Sequence, residues 1–161
     1  MPKSADLDSF DLALLAQVQR DNQIPARILA ERVGLSESAV LRRLRRLRQE
    51  GVIAGDVAVV RPSALGLPLT IQVLVSLERG GTAELDAFIR KVRERPEVRQ
   101  AWYVTGEADF ILLVQTSGME AYDCFARTMF NDNPNVKGFQ TIVVMREVVS
   151  ILDAKPLPGI E

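Results

Sequence analysis

Histidine is absent from this chain, and cysteine occurs once, at Cys124. The first absence removes the commonest general base and metal ligand at neutral pH. With one cysteine, no donor set for a zinc or copper site remains. Serine–histidine and cysteine–histidine catalysis are excluded on the same ground, and no glycine-rich phosphate loop is present. Neither a metal nor an organic cofactor is therefore expected. A lone cysteine forms no intramolecular disulfide and fits a buried core thiol. The opening Met-Pro-Lys-Ser-Ala-Asp has no hydrophobic h-region, so the expected location is the cytoplasm. Aromatics are scarce, at 6%, and no apolar run reaches membrane-spanning length, so no membrane partner is expected. What the chain has in quantity is aliphatic: 47% of 161 residues are hydrophobic, enough for one domain or two small ones.

The formal net charge of −1 conceals a gradient. Residues 36–50 carry five arginines against Glu37 and Glu50, whereas residues 61–161 carry 11 basic and 13 acidic side chains. The arginines (Arg42, Arg43, Arg45, Arg46, Arg48) are threaded between Val40, Leu44 and Leu47 at helical spacing. On a helical wheel the three apolar residues share one stripe, and Ser38, Arg42, Arg45 and Arg46 project from the opposite side. A solvated face normally mixes charge signs. A face this cationic is the footprint of a helix that meets a polyanion.

The flanking residues place that helix in a motif. Ser36 is a suitable N-cap, and Gly51 closes the far end, where positive φ is needed. Upstream, Pro25 opens a short helix over 26–33 with Ile28, Leu29 and Val33 inward. Gly34-Leu35-Ser36 is then a tight turn between two helices, the helix-turn-helix arrangement. A first helix over 8–20 supplies Phe10, Leu12, Leu14, Leu15 and Val18 as a third wall. Val52-Ile53 and Val57-Ala58-Val59-Val60 flank Ala54-Gly55-Asp56, which predicts a short β-wing. In such a reader of double-stranded DNA, the helix N-terminus with Ser36, Ser38 and Ala39 lies nearest the groove floor. Arg42, Arg43, Arg45 and Arg46 divide between phosphates and base edges.

The second half has a different rhythm. After a connector at 61–68, residues 69–77 alternate as a strand. Residues 82–95 read as a helix with Thr82 as cap and Leu85, Phe88, Ile89 and Val92 inward. Residues 98–105 and 109–115 are strands joined around Gly106-Glu107-Ala108. Residues 119–131 form a helix burying Tyr122, Phe125, Ala126, Met129 and Phe130, and 138–152 contain the last strand. Of Trp102 and Tyr103, one faces each side of its strand. A second basic run, Arg90 to Arg95, reads as a solvated helix face. The order βαββαβ is the ferredoxin-like split pattern, so the fold class is α+β. The expected domains are a winged helix-turn-helix over 1–60, a linker over 61–68 and a ferredoxin-like domain over 69–161. Two helices cover one sheet face, and the other, apolar face calls for self-association.

The combined pattern resembles the Lrp/AsnC (leucine-responsive, feast/famine) family of transcriptional regulators. The resemblance rests on Leu7-Asp8…Asp11, Leu29-Ala30…Val33-Gly34-Leu35-Ser36 and Arg43-Leu44…Arg46-Leu47…Gly51-Val52-Ile53. It continues through Leu65-Gly66, Pro96-Glu97-Val98, Val104-Thr105-Gly106-Glu107…Asp109-Phe110 and Asn135-Val136…Thr141. It implies a DNA-binding regulator, not an enzyme. The second domain would then serve in effector sensing and assembly, with homodimers formed through the sheets and often a tetramer of dimers (octamer). Many family members bind a small amino acid between dimers.

The resemblance also singles out the segment Val104, Thr105, Gly106, Glu107, Ala108, Asp109 and Phe110, with Thr141 as an addition. On local chemistry alone this segment is a hairpin turn, with Gly106 supplying permissive geometry and Asp109 satisfying nearby amides. As an effector site, amides near Thr105 and Gly106 would hold a ligand carboxylate while Glu107 or Asp109 pairs with its ammonium group. Two rival readings remain beside the regulator. One is a nucleoid-type DNA organiser without an effector. The other is a tetrapyrrole-processing enzyme, since sirohaem decarboxylases resemble the family in fold; the absence of histidine counts against it.

Overall fold

In the computed structural model, the chain divides into two compact units, Met1–Ala58 with Val148–Glu161, and Val59–Glu147. Residues 6–78, 81–150 and 156–157 are described. Residues from Val148 thus group with the first unit, where the sequence reading kept all of 69–161 together. There the Leu157 amide donates to Gln19 Oε1 at 3.2 Å.

The first unit is a helix trio. Helix α1 (Ser9–Arg20) opens on a reciprocal cap: Asp8 Oδ1 accepts from the Asp11 amide at 2.9 Å, and Asp11 Oδ2 accepts from the Asp8 amide at 3.2 Å. Helix α2 (Ala26–Val33) follows Pro25 and stops at Gly34, whose φ of 71° is left-handed. Helix α3 (Glu37–Gln49) starts at Ser36, whose hydroxyl accepts from the Ala39 amide at 3.2 Å, and is followed by Gly51 at φ 73°. The core is aliphatic: Leu14, Leu15, Leu29, Ala30, Val40, Leu44 and Leu47. Burial of each leucine stabilises the unit by about 2 kcal/mol.

Two expectations fail here. Phe10 is 40% exposed, because the centre of the inward stripe of α1 is occupied by Asp11, which is fully buried with Leu14 and Leu15. Nor does the segment after α3 pair into a β-wing: 51–60 contains no strand, and Val57, Val59 and Val60 are exposed. That segment is held by other bonds. The Ile53 amide donates to the Leu47 carbonyl at 3.1 Å, and Asp56 accepts from Arg48 Nε at 2.7 Å.

In the second unit a 3-10 turn (Pro62–Leu65) leads to β1 (Leu69–Leu77), α4 (Thr82–Arg93), β2 (Val98–Tyr103) and β3 (Phe110–Thr116). Helix α5 (Met119–Ala126) runs into a wider π turn (Arg127–Asn131), and β4 (Val136–Val143) closes the sheet. Every strand pair is antiparallel and the order is β2-β3-β1-β4, the ferredoxin-like arrangement. Strict alternation on β1 and β3 sends Ile71, Val73, Val75, Phe110, Leu112 and Val114 towards the helices. There they meet Phe88, Val92, Phe125, Met129 and Phe130. Thr82 is the first helical residue, and Gly81 occupies the cap position in its place. Cys124 is exposed, not a core thiol, because it lies on the outer side of α5.

Part of the second basic run has a structural task. Lys91 Nζ donates to the Thr128 carbonyl at 2.8 Å, and Arg95 Nη2 to Thr128 Oγ1 at 2.6 Å, which ties α4 and the residues just after it to the π turn. On the sheet face turned away from the helices, register aligns Trp102, Ile111, Leu74 and Gln140 in one row and Gln100, Leu113, Gln72 and Ile142 in the next. Tyr103 lies on the opposite face, its ring 5.2 Å from that of Phe110.

Candidate nucleic-acid interface and effector cleft

Helix α3 distributes its arginines by angle. At about 100° per residue, Val40, Leu44 and Leu47 form the buried stripe, and Ser38, Arg42 and Arg45 lie opposite. Arg43 and Arg46 fall between, on one flank, and α1 presents Asp11 to that flank. Arg43 Nη1 donates to Asp11 Oδ1 at 2.8 Å and to Asp8 Oδ2 at 2.7 Å, and Arg46 Nη2 donates to Asp11 Oδ2. The Arg43 guanidinium also lies over the Phe10 ring, 5.5 Å from its centroid. The fifth arginine, Arg48, is taken by Asp56.

These pairs shift ionisation in the expected sense. The Asp11 amide, and then Arg43, hold the Asp8 carboxyl below its ordinary value, and hydrogen bonding to Asp11 and Asp8 raises the Arg43 guanidinium. Arg48 likewise lowers the Asp56 carboxyl.

Of the sequence-predicted DNA contacts, Ser36, Ser38, Arg42 and Arg45 are exposed and Ala39 is half-buried. Arg42 and Arg45 have no ion-pair partner among the described residues. Arg43 and Arg46 turn back to Asp11; Arg46 in particular does not project opposite the apolar stripe, as the wheel alone suggested. Sequence reasoning missed two features. Asp11 is the hub of the network, and its signal was a carboxylate placed three and four residues before Leu14 and Leu15, inside the apolar stripe. Leu41, near the start of α3, is an apolar side chain left 48% exposed that periodicity did not single out.

In the second unit, the turn between β2 and β3 is sewn to the end of β1. The Val104 amide donates to the Asp109 carbonyl at 2.8 Å, and the Asp109 amide to Val75 at 2.9 Å. Asp109 Oδ2 accepts from the Leu77 amide at 2.7 Å, and Ser76 Oγ donates to the Glu107 carbonyl at 3.2 Å. Gly106 has φ 141°, where an L side chain is strained. Thr105, Gly106 and Glu107 are exposed, and Val104, Ala108 and Asp109 are half-buried.

Beside this turn is a cleft of about 410 Å³ lined by Leu77, Glu78, Glu84, Leu85, Tyr103 and Asp109, among others. Of the predicted effector residues, Asp109 alone lines it. Phe110 is 3% exposed and packs against Phe88 in the core. Thr141 lies on β4, in register with Val73 of β1, so β1 and β3 separate it from β2. Its hydroxyl lies 2.6 Å from that of Tyr122, and burial pushes the Tyr122 phenol above its ordinary value.

Comparison with known proteins finds a family match in each unit. A family model of winged helix-turn-helix DNA-binding domains matches residues 7–54, and one of the Lrp/AsnC ligand binding domain matches residues 70–151. An uncharacterised HTH-type transcriptional regulator of Sinorhizobium fredii is 48% identical over 89% of this chain and 85% of its own length. The leucine-responsive regulatory protein of Rhizobium meliloti is 36% identical, over 89% and 92%. Among solved structures, a transcriptional regulator from Neisseria meningitidis in complex with L-Met superimposes with a TM-score of 0.87 at 29% identity, covering 94% of this chain and 96% of that one. These relatives are transcriptional regulators, not enzymes. With a helix-turn-helix in the first unit and a ligand-binding fold in the second, the chain belongs to the Lrp/AsnC family of transcriptional regulators.

Proposed function

We propose that this protein is a sequence-specific DNA-binding regulator whose assembly or DNA affinity responds to a small amino-acid-like effector bound between dimers. The observation that carries the reading is the outer side of α3, where Arg42 and Arg45 are exposed beside Ser36 and Ser38 and have no ion-pair partner among the described residues. Arg42 and Arg45 supply phosphate or guanine contacts. Ser36, Ser38 and Ala39 approach the bases from the helix N-terminus, and Leu41 suits a thymine methyl. Such a protein acts in the cytoplasm, where bacterial DNA is found.

For the effector, the exposed turn Thr105-Gly106-Glu107 offers backbone amides to a carboxylate, with Glu107 or Asp109 for an ammonium group. One Asp109 oxygen already accepts from Leu77, which orients the carboxyl. The L-Met complex of the Neisseria relative supports an amino acid as the ligand class. Dimerisation is supported by the half-exposed Trp102, Ile111, Leu74, Leu113 and Ile142 on the open sheet face. A dimer sets two recognition helices into successive major grooves. The effector shifts the assembly only by binding one arrangement better than another.

Selection of bound duplexes from a random-sequence library tests the DNA reading. One recurrent motif is expected, with its enrichment lost in Arg42→Ala/Arg45→Ala. Tight binding without enrichment would instead describe a DNA organiser with a low specificity ratio.

A further inference from the structure

The five arginines of α3 are not equivalent. Arg42 and Arg45 lie on the outer side with no ion-pair partner among the described residues, while Arg43 and Arg46 converge on Asp11, whose side chain is 1% exposed. Their own side chains keep 21% and 40% exposure. They are therefore held chiefly by carboxylates, with Glu50 3.8 Å from Arg46 Nε as a further contact, and they stand at the rim of the cationic face. Charge-assisted bonds from two guanidiniums to one water-shielded carboxylate compete directly with bonds to phosphate, and Asp8 gives Arg43 a second acceptor.

We infer that Asp11 is a positioning residue that withholds Arg43 and Arg46 from the DNA backbone, limiting sequence-independent affinity so that contacts near the groove decide where the protein binds. The inference rests on the reading of α3 as the DNA-facing helix. Phosphate contacts carry no sequence information, and each adds to nonspecific binding. A helix presenting all its arginines to phosphates would hold any duplex. Neutralising two of them internally lowers that background and fixes α3 against α1 at the same time.

The test is fluorescence anisotropy of the intact protein on a labelled mixed-sequence duplex across a salt series. The slope of log K against log salt reads the number of phosphates engaged. Asp11→Asn removes the charge and keeps the shape, and its slope should steepen by about 0.9 for each guanidinium that finds a phosphate. Asp21→Asn removes an acidic charge whose carboxylate bonds the Gln23 amide, and should leave the slope unchanged. Arg46→Gln should also leave it unchanged, whereas Arg42→Gln should make it shallower. A purely structural role for Asp11 lowers the melting temperature without moving the slope, so an unchanged slope in folded Asp11→Asn overturns the inference. A loss of slope in Arg46→Gln equal to that in Arg42→Gln overturns it as well, and decides the matter alone if Asp11→Asn does not fold. Slopes that ignore both Arg42→Gln and Arg45→Gln would overturn the underlying reading of α3 and the inference with it.

Discussion

The two units solve the problem of a small core in different ways. The second unit packs Phe88, Phe110, Phe125, Phe130 and Tyr122 between a sheet and two helices, so apolar area alone suffices. The first has only aliphatic side chains at its centre and places a fully buried aspartate among them. That carboxylate caps α1 and bonds two arginines of α3. A buried ion pair contributes little net stability over a hydrophobic replacement, yet breaking it is costly, so its value lies in fixing one arrangement of helices. The unit that must present a helix at a defined angle is the one cross-linked by charge. The unit that must offer a binding fold is held by packing.

The sharpest way to break this contrast is to empty the aromatic core. Phe130→Ala should destabilise the second unit by about 3–5 kcal/mol through lost transfer energy and the cavity left behind. Calorimetry should show the first unit's transition in place. Asp11→Ala should cost the first unit about 2 kcal/mol, less than a fully buried pair, because Arg43 and Arg46 partly rehydrate. Chemical denaturation followed on each unit's signal checks the assignment. Tyr122→Phe removes the hydroxyl contact with Thr141 and should cost the second unit about 1 kcal/mol, with no change in DNA affinity.

The smallest effect is that of pH. Asp8 and Asp56 have folded-state values below their unfolded ones, so the stability they add is present above the ordinary carboxylate range. It is lost as pH falls through the folded values. An acid titration of melting temperature should lower the first unit's transition, and Asp8→Asn should flatten that dependence.

Much of this was legible from residue order. Periodicity alone placed Val40, Leu44 and Leu47 in the core, and alternation set β1 at its observed limits. The family resemblance named both halves. The contacts that periodicity cannot report are those between elements far apart in sequence. Arg46 looks like a solvent-facing cation until α1, 35 positions away, brings Asp11 to it. Val57 to Val60 read as a strand by β-branching, but a strand needs a partner, and none pairs with it among the described residues. The turn at 104–109 was visible from Gly106, whereas the bond from the Leu77 amide to Asp109 depends on β1 ending beside it. Phe110 and Thr141 carry the family pattern, yet the pleat turns both side chains towards the helices.

The most direct test of a DNA-reading unit joined to an effector-binding one is scanning calorimetry of the full chain with each common amino acid in turn. Binding to the folded state adds about 2.7 kcal/mol at a ligand concentration of 100 Kd. One chemical class of amino acid should raise the transition of the aromatic-cored unit selectively, and Asp109→Ala should abolish the rise. A rise confined to the helix-turn-helix unit, or no rise with any amino acid, would contradict that reading.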